Sequence, residues 1–220
     1  MEQFANRDGS PILFDLIAAI QENKQYLSDI DGAIGDGDHG INMNKGFTLC
    51  GEELLAHPGD LSHGLKTLAK ILVMKIGGSM GPLYGNFFKF LAAVCDGAEA
   101  IDREVFGRML SAGREGIQKI SEAKPGDKTL MDVLLPAEAA YQAAAQASEP
   151  FSLCLDRMVE AAKQGRDATK EMVAQLGRSS RLGERSRGVI DAGAASCCLI
   201  LETMAGTIAH LLTCGPEARS

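Results

Sequence analysis

Asp102-Arg-Glu-Val-Phe-Gly-Arg-Met-Leu110 reads as a capped helix start. Its aspartate can accept hydrogen bonds from the open N–H groups of a helix start, and Val105 and Met109 follow four residues apart, on one helical face. This predicts a helix over 102–122. Outward from it, Ala, Leu, Met, Glu and Lys dominate the long segments, and no alternating apolar and polar run persists for the length of a strand. Further helices are expected at 10–28, 41–56, 60–75, 83–97, 130–147, 151–176 and 193–212. The class is therefore all-α, and eight helices with short connections predict an antiparallel bundle or barrel. Pro82 suits a first helical turn, whereas Pro136 falls inside the 130–147 helix and predicts a kink or a later start.

With 220 residues, 45% of them hydrophobic and 23% charged, the chain can bury a core of its own, and one domain over 1–220 is expected. A net charge of -7 without a concentrated basic patch argues against nucleic acid or an anionic membrane as partner. Residues 1–10 lack the basic start and apolar stretch of a secretory signal, so a cytoplasmic location is expected. Segment 192–212 is strongly apolar but is bracketed by Asp191 and interrupted by Glu202. It falls short of the roughly 20 uncharged residues that cross a bilayer and reads as a buried helix. The six cysteines form no CxxC pair and read as reduced core thiols, with adjacent Cys197 and Cys198 pointing to different helix faces.

Four connections carry more glycine and charge than a turn requires. The first, Asp31-Gly-Ala-Ile-Gly-Asp-Gly-Asp-His-Gly40, gathers three carboxylates with glycines between them, so that hard oxygen ligands can converge on one or two small cations. Magnesium is the natural choice, because it combines a few carboxylates with substrate phosphates. An EF-hand is excluded, since the twelfth position from Asp36 is Phe47 rather than a glutamate. The bland alternative is an acidic turn capping the next helix. His39, Asn42 and Asn44 follow, where a helix start can offer N–H groups and amides to phosphate oxygens. Gly77-Gly-Ser-Met-Gly81 permits close backbone approach to a phosphate chain, although it lacks the lysine of a Walker motif. The third connection is Lys124-Pro-Gly-Asp-Lys-Thr129. The fourth brings Arg178, Arg181, Arg185 and Arg187 ahead of Asp191-Ala-Gly193, as cations able to reach phosphates or simply to solvate a loop.

Taken in order, Ile34-Gly-Asp-Gly-Asp-His-Gly-Ile-Asn-Met-Asn-Lys-Gly-Phe47, Gly77-Gly-Ser-Met-Gly-Pro-Leu-Tyr-Gly85, Lys124-Pro-Gly-Asp-Lys-Thr129 and Leu182-Gly-Glu-Arg-Ser186 closely resemble the nucleotide-binding L subunit of dihydroxyacetone kinases. The resemblance covers nearly the whole chain. It implies an eight-helix antiparallel barrel with ADP or ATP at one end and two magnesium ions between the aspartates and the phosphates. It makes Asp31, Asp36 and Asp38 the metal ligands and, with His39, the catalytic group. His39, Asn42 and Asn44 would line the phosphate and base pocket, and Gly78, Ser79 and Met80 would meet the phosphates. Thr129 and Leu130 would contact the base, and Arg178 with Asp191, Ala192 and Gly193 would close over the nucleotide.

Two departures stand out. Met80 replaces the family's usual small hydroxyl residue, and Ala192 replaces the proline of its Asp-Pro-Gly turn. The resemblance further implies a separate K subunit that binds a short ketose covalently, by default dihydroxyacetone. Its members either consume ATP or keep ADP bound and have it rephosphorylated by a phosphohistidine protein of the phosphotransferase system. A free-standing L chain favours the second type. An ATP-consuming subunit for a ketotetrose or triose, and a nucleotide-dependent regulatory binding module, are the alternatives. A homodimer is left open as an assembly.

Overall fold

The computed structural model describes residues 2–213. Among them are nine α-helices: α1 (Ser10–Glu22), α2 (Lys24–Ile34), α3 (His39–Ala56), α4 (Leu61–Lys75), α5 (Met80–Cys95), α6 (Arg103–Gln118), α7 (Met131–Gln146), α8 (Phe151–Ala168) and α9 (Ala192–Thr213). The all-α class is thus observed. A two-stranded antiparallel ribbon, β1 (Gln3–Ala5) with β2 (Ala100–Asp102), pairs Phe4 with Ile101 and ties the N-terminal segment to the start of α6. Three residues per strand are too few to show an alternating pattern in the sequence.

Helix α6 begins as its capping residue dictates, with the Val105 N–H donating to the Asp102 carboxylate at 2.8 Å. Asp60 caps α4 in the same way through the His63 N–H. The expected 10–28 helix is instead two. Asn23 leaves helical geometry at φ -95° and ψ 6°, and its side-chain amide donates to the Ala19 carbonyl, closing α1 locally. Helix α2 then runs on to Ile34, so Asp31 stands on its last turn rather than in a loop. The expected 151–176 helix ends at Ala168, where the Thr169 hydroxyl donates to the Arg166 carbonyl at 2.6 Å and a short 3-10 turn, Thr169–Glu171, follows. Pro136 lies inside α7, leaving the Asp132 carbonyl without its helical N–H. The backbone of α8 approaches that carbonyl at Gly165, where an added Cβ would lie 2.2 Å away.

Packing pairs run α1·α3, α3·α4, α4·α5, α5·α6, α6·α7, α7·α8 and α8·α9, and α9 returns to α1. The result is a closed ring of eight helices, with α2 lying against α3 and α9. Buried side chains from all nine helices form one hydrophobic cluster, centred on Phe47, Phe87, Phe88, Phe106, Tyr141 and Phe151. Several of its rings meet edge to face, as Phe87 with Phe88 at 5.2 Å and Phe106 with Tyr141 at 5.4 Å. Helix α9 is long and apolar enough to cross a membrane, yet much of it, Cys197, Leu201 and Met204 included, is buried in this core. Its Glu202 pairs with Lys163 of α8 at 2.8 Å. The five described cysteines are buried thiols, and burial raises Cys197 and Cys198 above their ordinary value. Cys214 lies outside the described residues.

Candidate functional site

One end of the ring holds a cleft of about 300 Å³. Its acidic wall is built from the end of α2 and the turn into α3. Carboxylate oxygens of Asp31, Asp36 and Asp38 all lie within 4.8 Å of one another, Asp31 half-buried and the other two exposed. Such an arrangement is electrostatically costly unless a cation joins it. One protein cation does so: the Arg178 guanidinium forms an ion pair with Asp36. The His39 N–H donates to the Asp31 carboxylate at 3.2 Å, fixing the start of α3 on the end of α2. Gly40 permits that junction, because an added Cβ would lie 2.1 Å from the Lys24 carbonyl oxygen.

His39 links this wall to the core. Its Nε2 lies 2.9 Å from the Ser196 hydroxyl of α9, which in turn lies 2.6 Å from the Tyr84 hydroxyl of α5. Tyr84 also donates to the Gly193 carbonyl at 3.1 Å. Burial holds the His39 ring down at about 4, against the opposing pull of Asp31, so the ring is neutral at pH 7.

The second wall runs from Gly78 to Met80, where α5 starts. Gly78 adopts φ +72°, a backbone conformation that favours glycine, and brings Ser79 and Met80 to the cleft. The third wall is the turn into α7. There the Asp132 carboxylate accepts from the N–H groups of Gly126 at 2.5 Å and Thr129 at 2.8 Å, folding the 124–130 loop back on itself. Leu83, Ile117, Leu130, Met131 and Leu176 supply apolar surface between the walls. The start of α9 closes the site, with the Ala194 N–H donating to the Asp191 carboxylate at 2.8 Å. Burial raises that carboxyl to about 6, although the Ala194 N–H and the Lys128 ammonium pull the other way.

Of the residues singled out by sequence, Asp31, Asp36, Asp38, His39, Gly78, Ser79, Met80, Thr129, Leu130, Arg178, Asp191, Ala192 and Gly193 come together on this one cleft. Asn42 and Asn44 do not reach its wall. Helix α3 begins two residues earlier than expected, so the Asn42 N–H is already spent on the Asp38 carbonyl and both side chains lie half-buried farther along. Sequence reasoning missed Tyr84, Ser196, Asp132 and Lys128. Tyr84 and Lys128 stood inside the quoted motifs and Asp132 lies three residues beyond one of them, but Ser196, in an apolar helix, gave no signal.

Residues 33–206 match the DAK2 domain family. The chain belongs to that family. Among its relatives, the ADP-binding subunit DhaL of a PEP-dependent dihydroxyacetone kinase of Listeria innocua is 42% identical over 196 residues, covering 89% of this chain and 93% of the relative. The ADP-binding subunit DhaL of a PTS-dependent dihydroxyacetone kinase of Lactococcus lactis is 39% identical over 191 residues, covering 86% and 91%. In fold, the chain resembles the dihydroxyacetone kinase of C. freundii crystallised with AMP-PNP and Mg2+, with a TM-score of 0.64 at 20% identity. That alignment covers 90% of this chain and 33% of the solved one. The DAK2 match takes in the first connection from Ala33 onward and the other three in full, with Asp31 two residues ahead of it.

Proposed function

We propose that this DAK2 chain is the nucleotide-binding subunit of a dihydroxyacetone-type kinase, acting in the cytosol and passing a phosphoryl group to a short ketose held on a separate K subunit. The observation that carries the reading is the convergence of three carboxylates, a glycine turn and an arginine on one cleft. Asp31, Asp36 and Asp38 would hold magnesium, two ions in the fullest form of the site. The donor set fits, being all hard oxygen, and Arg178 on Asp36 marks the place where positive charge is wanted. Held by these carboxylates, magnesium would supply neutralisation of phosphate charge.

The remaining work falls to the chain itself. The first turn of α5 offers N–H groups to phosphate oxygens, a geometry that suits an anion at a helix start. Arg178 can turn from Asp36 to a phosphate. Leu130, Met131 and Leu176 give a flat base an apolar surface that excludes water. Neutral His39, tied through Ser196, can hydrogen-bond the phosphates without adding charge. Thr129, Ala192 and Gly193 border the same space.

The names of the two DhaL relatives favour tightly kept ADP, rephosphorylated by a phosphohistidine donor, over ATP consumed at each turnover. Mass spectrometry of nucleotide released from freshly purified protein, with exchange against labelled ATP, tests this. Retained ADP that resists exchange is expected; fast exchange would make the chain an ATP-consuming subunit. Asp31→Ala, Asp36→Ala and Asp38→Ala should each lower ADP affinity and magnesium affinity together, by tenfold or more. Unchanged magnesium-dependent ADP binding in all three would overturn the assignment.

A further inference from the structure

Lys128 is a buried lysine, 1% exposed, in the wall of a cleft that would bind anions, yet its ammonium does not point there to meet them. It donates instead to three main-chain carbonyls: Met172 at 3.2 Å, Ser186 at 2.7 Å and Val189 at 2.6 Å. An ammonium has three donors, so its capacity is spent. The backbone at Lys128 takes φ +60°, a conformation unusual for a lysine, and the fold maintains it.

All three acceptors belong to the segment between α8 and α9. That segment is stitched to itself and to its neighbours. The Ala174 N–H donates to the buried Ser186 hydroxyl at 2.9 Å, the Ser186 hydroxyl donates to the Gly183 carbonyl at 2.7 Å, and the Gly188 N–H donates to the Lys170 carbonyl at 2.7 Å. The Gln175 N–H donates to the Asp127 carbonyl at 3.1 Å, next to the lysine itself. The same segment presents Leu176 and Arg178 to the cleft, and Arg178 reaches Asp36 on the far wall. Removing the ammonium therefore frees three carbonyls at both ends of the stretch that carries Arg178.

We propose that Lys128 is a positioning residue that pins the 172–189 segment across the cleft, and thereby sets how slowly a bound nucleoside diphosphate leaves. Its three carbonyl bonds hold the segment at Met172, Ser186 and Val189, so that Arg178 and Leu176 remain over the nucleotide. The inference rests on the nucleotide reading above and adds a residue and a rate to it.

The test follows a fluorescent ADP analogue with magnesium on the full chain by stopped flow. Lys128→Met keeps length and loses the donors; Lys128→Gly suits the left-handed backbone and also loses them. Both should release nucleotide at least tenfold faster, with association within about threefold and magnesium affinity unchanged. In an Arg178→Ala background, the further effect of Lys128→Met should shrink to about twofold or less. A merely structural lysine would lower the melting temperature and leave release alone, and unchanged release in a folded variant overturns the proposal. If neither variant folds, hydrogen exchange on the wild type decides. Amides in 172–189 should exchange as one unit and slow on binding ADP with magnesium, whereas independent, ligand-insensitive exchange overturns it. Wild type that binds no ADP fails the nucleotide reading instead.

Discussion

At Asp191, burial and neighbouring groups pull in opposite directions. Burial lifts the carboxyl from 3.8 to about 6, while the Ala194 N–H and the Lys128 ammonium only partly offset that rise. A group whose folded value is raised stabilises the fold fully below its unfolded value and loses that contribution as pH rises through the folded value. Asp191→Asn keeps an acceptor for the Ala194 N–H and cannot titrate. Between pH 4 and pH 7, metal-free wild type should therefore lose about 1–3 kcal/mol relative to the variant. Urea unfolding across that range checks it, and parallel stability curves would sink the assignment. Residues of this kind were only half legible in the sequence. Asp31, Asp36 and Asp38 are close in the chain with glycines between them, so local chemistry exposes them. Ser196 and Lys128 act through partners on distant elements, a hydroxyl on α5 and carbonyls of 172–189, and nothing near them in sequence reports those partners.

Helix junctions decide whether these side chains meet. The α2–α3 junction carries all three aspartates, and its closeness depends on Gly40, where an added Cβ would lie 2.1 Å from the Lys24 oxygen and 2.7 Å from the Ser28 nitrogen. Both are backbone atoms and cannot swing away. Gly40→Ala should therefore push α3 off α2, lower stability by about 1–3 kcal/mol and stretch the His39 N–H contact with Asp31. Thermal unfolding and magnesium-dependent ADP binding should both deteriorate, and a variant with wild-type values for both would remove this junction from the account. Most helices were readable from their apolar spacing and capping residues, as with Asp102 before α6. Boundaries failed where a side chain competed with the helix. Asn23 cut one expected helix in two, and Thr169 with the tertiary bonds beyond it ended another early.

Across the whole molecule, the cleft draws on the end of α2, the starts of α3, α5, α7 and α9, and the segment that follows α8. The closed ring brings together ends that lie far apart in sequence, and one continuous hydrophobic cluster holds them there. A ligand that touches all of them is favoured by the folded state alone, so it should stabilise the protein as a unit. At a ligand concentration about 100 times its Kd, that linkage amounts to about 2.7 kcal/mol, or a melting shift of roughly 5–10 °C for a chain of this size. Calorimetry should show one transition that rises by this amount with ADP and magnesium together. The shift should largely vanish with ADP alone, because the phosphates would then face the three carboxylates without a bridging cation. An equal shift without magnesium would remove the metal from the site. A separate low-temperature transition insensitive to ADP would mean that part of the ring unfolds independently of the cleft, against the shared core that Phe47, Phe88 and Leu201 build between α3, α5 and α9.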